Sequence, residues 1–75
     1  MKVYLLINET LLRGITFPSV EVTEVFASEQ AAIDALHEIA AESDIILGGD
    51  ATSVYLPPTS VIESDEYYIE SREVK

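Results

Sequence analysis

One amphipathic stretch sets the terms on which this chain can fold. Ser28 is a good helix N-cap, and Glu29 follows in the first turn, where the helix dipole favours negative charge. From Glu29 to about Ser43, Ile33, Leu36, Ala40, Ala32 and Ile39 fall on one arc at ~100° per residue. Asp34, Glu38 and Glu42 fall on the opposite arc. A helix with one apolar side needs a surface to lie on. With 75 residues in all, the chain has room for a single domain, residues 1–75, and one core. The rest must supply that surface, and it reads as β.

Val3, Leu5 and Ile7 alternate with Tyr4 and Leu6, so the first strand is apolar on both sides. That is the pattern of an interior strand, placed centrally in the sheet. Asn8 to Pro18 reads as a connection that either folds back over the core or extends a hairpin. Val20 to Phe26 is a second strand with imperfect alternation: Val20, Val22 and Phe26 share a face with Glu24. Either a bulge shifts the register or Glu24 lies at a sheet edge where it reaches water. Asp44 to Leu47 is a last helical turn ended by Gly48, or a short strand. Val54-Tyr55-Leu56 is β-like and is stopped by Pro57-Pro58, Ser60 to Ile62 suits another short strand, and Glu66 to Val74 closes the chain. In that last segment Tyr67 and Ile69 share one face, with Tyr68, Glu70 and Arg72 on the other. The expected fold class is α+β: one amphipathic helix packed on a small, mainly antiparallel sheet, β-β-α-β with one or two extra short strands. The expected core is Val3, Leu5, Ile7, Val22, Phe26, Ile33, Leu36, Ala40 and Ile69.

Charge narrows the function. Fourteen acidic residues against four basic ones give a net charge of −10. Residues 14–71 contain no Lys or Arg but hold 12 of the carboxylates. Nucleic acid and anionic membrane both require a basic face, so direct binding to either is not expected. The absence of cysteine excludes disulfides, thiolate catalysis and zinc–thiolate sites. No apolar run approaches the ~20 residues of a membrane span, and the N-terminus lacks a signal-peptide layout. The expected location is cytoplasmic.

No constellation of residues suits an enzyme. His37 is the only histidine, at the border of the helix's apolar arc with Asp34 one turn back, and no serine stands in a G-x-S-x-G elbow. A boundary histidine packed beside the core accounts for it. Glu63, Asp65, Glu66 and Glu70 crowd one region, but their spacing matches no calcium loop. Gly48-Gly49 matches no phosphate cradle. The expectation is therefore no enzymatic activity, no metal and no cofactor.

The acidic helix face carries more information. Asp34, Glu38 and Glu42 succeed one another at i, i+4 and i+8 with no cation between them. Like charges at that spacing cost roughly 0.2–0.5 kcal/mol per pair. Two explanations stand side by side: a solvated face kept negative for solubility, or a surface shaped for a basic partner.

The runs Val3-Tyr4-Leu5-Leu6, Val25-Phe26-Ala27-Ser28-Glu29-Gln30-Ala31-Ala32 and Tyr68-Ile69-Glu70 resemble those of small uncharacterised bacterial and phage-type proteins of strand-strand-helix-strand build. The resemblance spans roughly residues 3–7, 20–42 and 66–74, and implies a compact accessory protein of a mobile element. It carries no functional residue. The expected function is a non-enzymatic acidic protein-binding module, in its finer form an inhibitor or regulator of a nucleic-acid-binding protein by charge mimicry. The candidate partner-binding residues are Asp34, Glu38, Glu42, Glu66 and Glu70, facing a basic protein surface. The alternative is an orphan structural domain whose acidity serves solubility, with a homodimer formed through a sheet edge as a further option.

Overall fold

A computed structural model describes residues 1–74. Its elements run β1 (Lys2–Leu12), β2 (Ser19–Phe26), α1 (Glu29–Glu42), β3 (Ser53–Leu56) and β4 (Ile62–Glu73). The strands form one antiparallel sheet in the order β2-β1-β4-β3. This is the expected α+β class, with β3 as the one extra short strand. β1 lies inside the sheet, as its two-sided apolar run requires. It pairs with β4 from Lys2↔Glu73 to Leu12↔Ile62, so the two ends of the chain make the middle of the sheet.

The Asn8–Pro18 region extends a hairpin: β1 runs on to Leu12 and β2 begins at Ser19. In β2 the register shifts, with Leu6 opposite Glu24 and Ile7 opposite Val22. Thr23 is the extra residue, and its Oγ1 donates to the Leu6 carbonyl at 3.1 Å. Both expectations for β2 therefore meet in one strand, which is bulged and lies at an edge. The bulge turns Val20, Val22 and Val25 to one face and Glu21, Glu24 and Phe26 to the other.

α1 begins where Ser28 Oγ accepts the Ala31 amide at 3.2 Å. It does not continue to Gly48, nor does residue 44–47 form a strand. Asp44 adopts a left-handed conformation, φ 58°, and its amide donates to the Ala41 carbonyl while the Ile45 amide donates to the Ala40 carbonyl. That is a Schellman close made with aspartate where glycine is usual. The reversal carries Ile45 and Leu47 back onto the core.

The core joins Leu36 and Ala40 of α1 to Leu6 and Val54, with Phe26, Ile39, Leu56, Tyr67 and Ile69 packed around them. Leu36, Ala40 and Ile7 are buried as expected, and Phe26 and Ile69 pack in as expected. Val3, Leu5 and Val22 are not under the helix. Helix-side residues of β1 are Tyr4 and Leu6, since Leu6 pairs with Ile69 and Tyr4 with Phe26. Val3, Leu5 and Ile7 point the other way, and Val22, opposite Ile7, is exposed. The physical reason lies in β4: Tyr67 and Ile69 offer the helix an apolar floor, whereas Tyr68, Glu70 and Arg72 do not.

Candidate functional site

The molecule presents two different surfaces because one helix covers one side of a four-stranded sheet. Its Cα extents, 40 × 28 × 14 Å, are those of a thin two-layer slab. The outer surface of α1 is one side and the bare sheet is the other.

Asp34, Glu38 and Glu42 are all exposed on the outer face of α1. Gln30 Nε2 donates to Asp34 Oδ1 at 2.9 Å, an i, i+4 contact. None of the three carboxylates has an ion-pair partner among the described residues. The row is intact and unneutralised.

Glu66 and Glu70 stand elsewhere. Glu66 pairs with Glu9 of β1 and Tyr55 of β3, and Glu70 pairs with Leu5. Neighbouring Tyr67 and Ile69 pack under the helix, so Glu66, Tyr68 and Glu70 project from the opposite, uncovered face. The five candidate residues thus divide into a set of three and a set of two on opposite sides of the slab. No flat partner touches both at once. Sequence separation concealed this, because the packing that sets Glu66 and Glu70 opposite the helix joins segments distant in the chain.

The uncovered face can be read along the pairing. β2 and β1 contribute Val25 beside Leu5, Val22 beside Ile7 and Val20 beside Glu9. β4 continues the same rows with Glu70, Tyr68 and Glu66, and β3 adds Ser53 and Tyr55. One half is therefore aliphatic apart from Glu9, and the other acidic and aromatic. Glu9 and Glu66 face each other directly across β1 and β4, a like-charge pair of the destabilising kind. Both are half-buried, and neither has an ion-pair partner among the described residues. Glu70 is paired to Arg72 at 3.1 Å. The field of these acids is felt by the tyrosines around them. The Glu66 charge, the largest cause, holds the Tyr55 phenol above its ordinary pKa, with Glu9 adding to it. Tyr68 is also raised, first by desolvation and then by Glu9, Glu70 and Glu66. Glu9, absent from the candidate residues above, belongs with Glu66, and the register of β1 on β4 is what brings it there.

Two other acids have different duties. Asp65 lies on the helix side of β4, where Asn8 Nδ2 donates to its Oδ1 at 2.8 Å and Thr10 Oγ1 lies 3.1 Å away. Asn8, Thr10 and Asp65 thus form one polar network across β1 and β4. Glu73 lies 3.7 Å from the N-terminal ammonium. His37 borders the core as expected, and its Nε2 is buried without a hydrogen-bond partner.

Among the described residues no group of three metal-ligating side chains converges, and no pocket indents the surface. No described helix is long and apolar enough to cross a membrane. Comparison with protein families, with curated proteins and with solved structures finds no match.

Proposed function

We propose that this chain is a non-enzymatic protein-binding module that engages a basic protein surface. The observation that carries the proposal is the row Asp34, Glu38 and Glu42, exposed along α1 with no ion-pair partner among the described residues. Successive members of the row are ~6 Å apart along the helix axis, of the same order as phosphates along a nucleic-acid strand. This spacing supports the finer reading, a regulator that occupies the basic groove of a nucleic-acid-binding protein, of the kind a mobile element would carry. A long-range negative field speeds encounter with such a partner. Glu66 and Glu70 contribute to that field from the opposite face.

The alternative is an orphan domain whose acids serve only solubility. The two separate in one experiment. Proteins of the native host retained on the immobilised chain are identified, then rebound with increasing NaCl, with competing duplex DNA, and to D34K/E38K/E42K. A basic partner that is lost with salt, displaced by DNA and not bound by the folded triple variant is the expected result. Binding indifferent to all three favours the solubility reading of the helix face.

A further inference from the structure

We propose that the uncovered face of the sheet is a second docking surface, built for a basic amphipathic helix of the partner protein, an inference that rests on the protein-binding reading above. The face is apolar where it is most open. Val20, Val22 and Val25 are 58%, 49% and 56% exposed; Val25 and Val22 lie beside half-buried Leu5 and buried Ile7 of β1, and Val20 lies beside Glu9. Three exposed valines on one face of an edge strand, on a chain this small, mark an interaction site. β1 and β2 side by side make a strip about 10 Å wide, the width that one helix covers. α1 already covers the other side of the same sheet, so a second helix would complete a three-layer sandwich.

Charge selects the occupant. Glu66 and Glu70 stand along the β4 flank of the strip and Glu9 in its β1 row, and the neighbouring Arg72 is already held by Glu70. Half-buried Glu9 and Glu66, opposed and without an ion-pair partner among the described residues, gain a counter-ion from a docked cation. A helix with an apolar stripe edged by Lys or Arg supplies both halves of the match. A second copy of this chain does not. With a two-fold axis along the strands, the valine half of one copy lies over the Glu66–Glu70 half of the other. With the axis across the strands, the aliphatic halves meet, but so do Glu9, Glu66 and Glu70 and their own counterparts. A second copy brings the same acids to the interface and leaves Glu9 and Glu66 without a counter-ion among the described residues.

The test uses an 18-residue peptide of leucine and lysine patterned as an amphipathic helix, and a scrambled peptide of the same composition. Backbone amide shifts of the whole chain are followed during titration, and its mass is measured by sedimentation. The expected result is a monomer whose shifts upon peptide binding centre on residues 3–7 and 20–25. V22T/V25T, whose positions are exposed and whose fold is checked by circular dichroism, should weaken binding about tenfold, as should scrambling. D34N/E38Q/E42Q should change it far less. Shifts confined to residues 30–42 and abolished by D34N/E38Q/E42Q would overturn the sheet face while sparing the protein-binding reading. Equal binding of the scrambled peptide, or a dimer that V22T/V25T dissociates, would also overturn it. Binding of neither peptide would remove the basic partner and the docking face together.

Discussion

Leu36 is the residue on which the two layers meet. It is fully buried and packs with Leu6 and Val54, at the centre of the only cluster joining α1 to the sheet among the described residues. Leu36→Ala should cost about 2–5 kcal/mol, a large share of the stability of so small a domain. An unchanged melting temperature would place the core elsewhere. Tyrosines report a different quantity. Tyr67 has its phenol pushed above the ordinary value of 10.0, chiefly by burial and then by Asp65, Glu42 and Glu21; Tyr55 and Tyr68 move the same way. A raised folded pKa means the folded state holds the proton more tightly. That contribution is full below the unfolded pKa and is lost as pH rises through the folded one. Urea midpoints should therefore hold steady as far as the tyrosine effect goes up to about pH 9 and decline above about pH 10. Tyr67→Phe should make the decline shallower; an unaltered slope would mean Tyr67 is not responsible.

The elements show which parts of the architecture were legible in the sequence. α1 could be read from Ser28 and its 3.6-residue period to within one residue of its observed end. β1 could be read as central because Val3, Leu5 and Ile7 alternate with Tyr4 and Leu6. The same two-sidedness hid the helix-facing side, which only the pairing of Leu6 with Ile69 decides. Glu9 escaped notice because its neighbour Glu66 is 57 residues away in the chain and meets it through strand register alone. The end of α1 was ambiguous for a local reason. Gly48 looks like the terminator, yet the left-handed position falls on Asp44. An aspartate there carries both a Cβ penalty and a negative charge at the helix C-terminus. Asp44→Gly should raise stability by about 0.5–1 kcal/mol, read as a shift in urea midpoint. A loss of stability would show that the Asp44 side chain holds the turn.

At the scale of the whole molecule, an acidic helix on one side and an aliphatic, acid-flanked sheet on the other give a slab with two dissimilar faces. Only two ion pairs occur among the described residues, against a net charge of −10 for the chain. Unneutralised charge opposes compaction, and salt shortens its reach from about 8 Å at physiological strength to about 3 Å at 1 M. The melting temperature should rise with NaCl over that range, and a fall would mean that attractive pairs dominate. The open strip of Val20, Val22 and Val25 takes a basic helix, while α1 occupies the Leu6 side of the same sheet. A filtered nuclear Overhauser spectrum of the labelled chain with the unlabelled leucine–lysine peptide tests it most directly. The expected result is intermolecular contacts from the methyls of Leu5, Val22 and Val25 to peptide leucines, with Leu6 contacting Leu36 within the chain. Contacts from Leu5 or Val22 to Leu36, or peptide contacts only along α1, would contradict it.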